Sequence, residues 1–93
     1  MSQFACSVIT PAGKVFESKL VSLVTPGEFG VFGVLGGHIP MVASLKKGTL
    51  KLTEENGEKF FVIGPGVLEV DPAHQVLILS DSATETEAPK AVR

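Results

Sequence analysis

Apolar residues recur along this chain with a period of two, in runs of four to seven residues separated by Gly, Pro and Asn breaks. Gly48–Thr53 is the cleanest case: Leu50 and Leu52 point one way while Thr49, Lys51 and Thr53 point the other, as alternate positions of a half-buried strand do. Phe4, Cys6 and Val8 share a face of Phe4–Thr10, and Leu20–Thr25 alternates like a strand buried on most sides. Phe60–Ile63, Val67–Val70 and Val76–Leu79 complete the set. Turns fall at Pro11-Ala12-Gly13, Gly64-Pro65-Gly66 and Asp71-Pro72-Ala73-His74. The strongest hairpin signal is Asn56-Gly57, a pair that tolerates positive φ. No window of eleven or more residues carries a helical stripe. The pattern predicts an all-β fold over residues 1–83, an antiparallel β-sandwich or flattened barrel of about ten short strands with no substantial helix. From Ser82 the character changes, and residues 84–93 read as a flexible polar tail.

Ninety-three residues with 44% hydrophobic content make one domain with a small packed core. A net charge of −2, scattered lysines and the lack of Trp and Tyr leave neither a basic stripe nor a stacking platform, which argues against nucleic acid. Cys6 sits among apolar residues and reads as a small buried hydrophobe; a lone cysteine forms no internal disulfide, and no signal-peptide core follows Met1, so the chain reads as a soluble protein of a reducing compartment. The uncharged stretch Phe29–Leu45 is broken by Gly30, Gly33, Gly36, Gly37 and Pro40, so it is rejected as a membrane-spanning helix.

Within that stretch, Gly27–Pro40 holds five glycines in fourteen residues, and Glu28 is its only formal charge. Glycine costs roughly 0.5–1 kcal/mol per site in regular structure, so such density needs a reason. A phosphate cradle fails, because a P-loop requires Lys and Ser/Thr after its last glycine, whereas His38-Ile39 follows Gly37. The spacing of Gly30, Gly33 and Gly36 is not the dinucleotide fingerprint either. His38 and His74 have no Cys, Asp or Glu at metal-ligand spacing, no nucleophile motif appears, and Glu54, Glu55 and Glu58 read as a solvated hairpin tip. The residues therefore predict no catalytic site, no cofactor and no metal. Two readings stay open: a corner of the sandwich, or a surface on which Phe29, Phe32, Val34, Leu35 and Met41 meet another chain.

TPGEFGV, then GGHIPMVASLKKGTLKL, resembles the amino-terminal β-sandwich domain of the epsilon subunit of F-type ATP synthases. Gly27-Glu28-Phe29-Gly30-Val31, His38-Ile39-Pro40 and Lys46-Lys47-Gly48 carry the first block of the likeness. Gly66-Val67-Leu68-Glu69-Val70 and Val76–Leu79 running into Ser80-Asp81-Ser82-Ala83 carry the second, and FACSVITPAGKVFES resembles the family's first hairpin, so the likeness covers roughly residues 4–83. The resemblance implies a non-catalytic central-stalk (rotor) subunit, bound to the gamma subunit and the membrane c-ring on the cytoplasmic face of the bacterial inner membrane, without inserting into it. It also implies contact with those partners through Glu28, Phe29, Gly30, His38, Ile39, Pro40 and Met41. The plain alternatives are a solvated turn carboxylate for Glu28 and a capping or core histidine for His38. The spacer Phe32–Gly37 is about three residues longer than the family's and lacks its Pro, so a loop of different shape is expected there. The carboxy-terminal helical pair of many members would lie beyond Arg93, so its inhibitory and ATP-binding roles are not carried over, and no small-molecule ligand is expected. The competing class is a free-standing β-sandwich that binds a ligand or peptide at a sheet edge.

Overall fold

The computed structural model describes residues 2–89, which form ten strands and no helix. In chain order they are β1 (Phe4–Thr10), β2 (Gly13–Leu20), β3 (Ser22–Gly27), β4 (Gly30–Leu35), β5 (Met41–Leu45), β6 (Gly48–Glu54), β7 (Gly57–Ile63), β8 (Gly66–Val70), β9 (Val76–Ser80) and β10 (Ala83–Thr86). The all-β sandwich expected from the period-two pattern is what forms.

The strands run in the order β10-β7-β6-β3-β5-β8-β9-β1-β2, with β4 paired to β3. Neighbours are antiparallel except β1 and β9, which run parallel. The sheet turns its main corner where Gly27 of β3 meets Leu45 of β5, so one layer holds β10, β7, β6, β3 and β4 and the other β5, β8, β9, β1 and β2. The opposite seam is bridged by the Ser18 hydroxyl of β2, which donates to Glu54 Oε2 of β6 at 2.7 Å. Edge-on packing of Phe16 against Phe61, with centroids 5.9 Å apart, joins the layers between the seams.

Alternate positions meet in the core: Leu23, Leu50, Leu52, Phe61 and Ile63 from one layer, and Phe4, Cys6, Val8, Leu68 and Ile78 from the other. Burial raises the Cys6 thiol pKa to about 12, so it stays protonated and packs as a hydrophobe. Gly66 is fixed by close approach, since a Cβ there would lie 1.9 Å from the Leu79 carbonyl oxygen.

Several expectations are refined. Leu20–Thr25 is not one strand: the chain turns at Val21, whose N–H donates to Thr53, so Leu20 ends β2 and Ser22 begins β3. The β6–β7 hairpin forms with Glu55-Asn56 at its tip, but neither Asn56 nor Gly57 takes a positive φ. Residues 84–86, read from their polarity as the start of the flexible tail, continue from Ala83 and pair with β7 as β10. Its docking is secured by Ser82, whose carbonyl accepts the Gly64 N–H at 3.1 Å and lies 2.7 Å from the Ser80 hydroxyl. A strand at a sheet edge needs few apolar residues when its backbone bonds are met on one side, which is why composition hid it. Residues 90–93 of the expected tail lie outside the described residues.

Candidate protein interface at the β3–β4 hairpin

The glycine-rich segment is a β-hairpin. Strand β3 pairs with β4 in full register from Ser22↔Leu35 to Gly27↔Gly30, leaving Glu28 and Phe29 as a two-residue tip. Gly30 follows the tip at φ 133°, a conformation that a side chain would strain. Gly27 precedes it and lies under the Phe32 ring: a Cβ at Gly27 would meet ring carbons at 2.7–2.8 Å and the Gly30 carbonyl oxygen at 2.8 Å. Most of the longer spacer is strand and not loop. Phe32–Leu35 continue β4, and only Gly36-Gly37 turn.

Alternation along β4 divides the apolar residues into two sets. Val34 is fully buried and Phe32 packs on the core, as does Met41 at the start of β5. Phe29, Val31 and Leu35 face water, with Phe29 96% and Val31 72% exposed. Val42 of β5 adds a further exposed apolar side chain at 70%. Between the hairpin tip and β5 lies an open cleft of about 530 Å³, lined by Gly27–Phe32 and Met41–Ser44. Glu28 is the only charged residue of that lining, and its N–H is tied to the Ser44 carbonyl at 3.0 Å, fixing the tip against β5. Beneath the hairpin the buried Thr25 hydroxyl has no hydrogen-bond partner among the described residues.

Not all of the expected contact residues converge here. Glu28, Phe29, Gly30 and Met41 line the cleft; His38, Ile39 and Pro40 form the following connection and do not. The His38 ring Nδ1 lies 2.8 Å from the Ile39 carbonyl oxygen, so Nδ1 carries the proton and donates. His74, in the Asp71–His74 turn, sits at φ 64° and directs Nδ1 to the His38 carbonyl at 3.0 Å, pinning this connection to the β8–β9 turn. Asp71 holds that turn by accepting the Ala73 and Gln75 N–H groups at 2.9 Å. Sequence reading missed Val31, Val42 and Ser44; the period-two rule applied to Val31-Phe32-Gly33-Val34-Leu35 would have separated the outward residues from the core ones.

Among the described residues no three His, Cys, Asp or Glu side chains come together, and no helix is long and apolar enough to cross a membrane. The arrangement offers apolar contact area with one carboxylate on a rigid tip, which suits protein recognition.

The family profile of the ATP synthase delta/epsilon chain β-sandwich domain matches residues 3–86. The chain is 38% identical over 87 residues to the ATP synthase epsilon chain of Priestia megaterium, covering 94% of this chain and 64% of that one. It is 36% identical over 81 residues to the epsilon chain of Dichelobacter nodosus, covering 86% of this chain and 56% of that one. The chain thus spans about three-fifths of the length of these relatives. Two solved structures share the fold. One is a chain of the Euglena gracilis mitochondrial ATP synthase OSCP/F1/c-ring structure, with TM-score 0.84 and 23% identity over 91% of this chain and 54% of that one. The other is a chain of the Tetrahymena thermophila mitochondrial ATP synthase central stalk/c-ring structure, with TM-score 0.74 and 13% identity over 86% of this chain and 64% of that one.

Proposed function

The chain belongs to the ATP synthase delta/epsilon family, through its β-sandwich domain, and on that premise we propose that it is a non-catalytic central-stalk subunit of an F-type ATP synthase. In this reading it docks the gamma subunit onto the membrane c-ring and helps couple proton translocation to ATP synthesis, peripherally, on the cytoplasmic face of the bacterial membrane. The similar Tetrahymena chain comes from a structure of a central stalk and c-ring, which supports the reading.

The observation that carries it is the β3–β4 tip: Phe29 stands almost wholly in water on a backbone fixed by Gly27, Gly30 and the Glu28–Ser44 bond. Because the backbone of the tip is already ordered, docking the ring costs only its own rotamer freedom. Glu28 beside it would accept hydrogen bonds or pair with a basic loop of the c-ring, and the His38–Met41 connection would lie near the junction with gamma. Co-purification with tagged gamma subunit from detergent-solubilised membranes tests the assignment, and absence of the chain from an otherwise intact complex would remove it. Glu28→Lys is expected to weaken assembly or coupling while the isolated domain stays folded; unchanged proton-driven ATP synthesis would take Glu28 out of the interface.

A further inference from the structure

Among the described residues, the far edge of β4 carries none of the protection that sheet edges usually have. Such edges are blunted by charge, proline, a bulge or a covering segment. Gly30–Leu35, read GVFGVL, has no charge and no proline, and its register with β3 is unbroken. Among the described residues β4 pairs with β3 alone.

The bonding groups on that edge can be identified. Glu28 N–H and Pro26 C=O both serve β5, by bonds to Ser44 at 3.0 Å and from Lys46 at 3.2 Å. Gly27 between them therefore turns its own groups to β4, and the alternation of an antiparallel ladder puts Gly30, Phe32 and Val34 on the β3 side. Val31, Gly33 and the N–H of Leu35 face outward, while the Leu35 carbonyl takes the His38 N–H at 3.2 Å. No other backbone group among the described residues bonds Val31 or Gly33 across this edge.

We infer that this edge pairs with the same edge of a second copy of the chain, antiparallel, about a two-fold axis at Gly33. Two conditions select the register. The outward-bonding residues must face one another, and both cores must lie on the same side of the continued sheet. With Gly33 opposite Gly33, Val31 faces Leu35 and Phe32 faces Val34, so all three outward-bonding residues are used. The exposed Val31 and Leu35 of both copies then form one apolar row on the outer face, with glycine at the crowded axis. Past the strand ends the same register carries Phe29 of one copy to Gly37 of the other, where a Cβ position meets nothing within 4 Å, whereas the neighbouring Gly36 is packed on Ser2. It also carries Glu28, the only formal charge of Gly27–Pro40, toward His38, the only basic side chain there. The surface is self-complementary in shape, as an isologous contact requires. Because this pairing covers Phe29, the dimer would compete with the docking proposed above; the two inferences do not depend on each other.

Sedimentation equilibrium of the 93-residue chain from about 10 µM to 1 mM tests the pairing. The expected result is a concentration-dependent monomer–dimer equilibrium that Gly33→Pro weakens roughly tenfold or more, by removing one inter-copy N–H bond per copy while leaving the β3 ladder intact. Gly33→Lys, whose Cβ would make only an ordinary contact with Leu23 O at 3.4 Å, is expected to weaken it too, by facing two ammonium groups across the axis. Should Gly33→Pro fail to fold, amide exchange in the unsubstituted chain gives the same answer: the Val31 and Gly33 N–H groups slow as concentration rises. A monomer across the whole range overturns the inference. So does a dimer that tolerates Gly33→Lys with no concentration-dependent protection at Val31 and Gly33.

Discussion

The β3–β4 and β6–β7 hairpins have tips of the same length and serve opposite ends. Each closes with a two-residue tip, Glu28-Phe29 or Glu55-Asn56, and each ends its tip at a glycine that opens the returning strand. Around the second tip the side chains are polar: Lys51 pairs with Glu58 at 3.2 Å, Lys59 with Glu85 at 3.7 Å, and Glu54 takes the Ser18 hydroxyl. Around the first there is one carboxylate, an exposed phenylalanine and exposed valines. Burial beneath the two is equal, with Leu23 and Val34 under one and Leu52 and Phe61 under the other. The difference is therefore on the surface. One hairpin is finished in water, and the other leaves apolar area unspent, which is how a recognition surface on a stable scaffold differs from the scaffold.

Substitutions can break or sharpen that comparison. The largest effect is expected to be the same on both sides: Leu23→Ala and Leu52→Ala should each destabilise by about 2–5 kcal/mol in urea unfolding, since both are fully buried in one core. A hairpin that lost its leucine at no cost would not share the core. The glycines should separate the two. Gly27→Ala forces a Cβ into the Phe32 ring and the Gly30 carbonyl and should cost about 1–3 kcal/mol, whereas a Cβ on Gly57 meets nothing within 4 Å and Gly57→Ala should stay within about 0.5 kcal/mol. Equal costs would mean that the ring does not clamp the first hairpin.

Thr25→Val removes a buried hydroxyl without a partner among the described residues and should stabilise the protein by about 1 kcal/mol, read as a raised melting temperature. Loss of stability would mean that the hydroxyl is satisfied in solution. The smallest effects belong to the exposed side chains. Lys51→Met should cost about 0.2–1 kcal/mol at low salt and less at high salt, as half-exposed ion pairs do. Phe29→Ser should leave folding stability within about 0.5 kcal/mol while weakening association. A Phe29→Ser protein that unfolds easily would make the ring part of the fold instead of a contact.

The strands were legible because a side-chain period of two is a local property, readable wherever Leu50, Leu52 and their polar neighbours alternate. The glycine segment was legible as unusual, and its motif carried the family, but its strand content was not. Phe32, Val34 and Leu35 look alike by composition; alternation sets Leu35 apart from the other two, and the pairing of β4 with β3 decides which set turns inward. His74 was opaque for a different reason: its partner, the His38 carbonyl, lies 36 residues away. Polar β10 was missed because its stability comes from the β7 edge it joins and not from its own side chains.

By itself, then, the sequence determined an all-β domain, its family and a glycine-rich segment with one carboxylate, since these follow from local pattern and chemistry. Only the tertiary structure decided that the segment is a clamped hairpin, that Phe29 stands out while Phe32 turns in, and that β4 has an edge left unpaired among the described residues. Those properties depend on which strands become neighbours. Neighbourhood is set by the closure of the whole sheet, where Gly27 must meet Gly30 and Leu45 at one corner, and no single stretch of the chain encodes it.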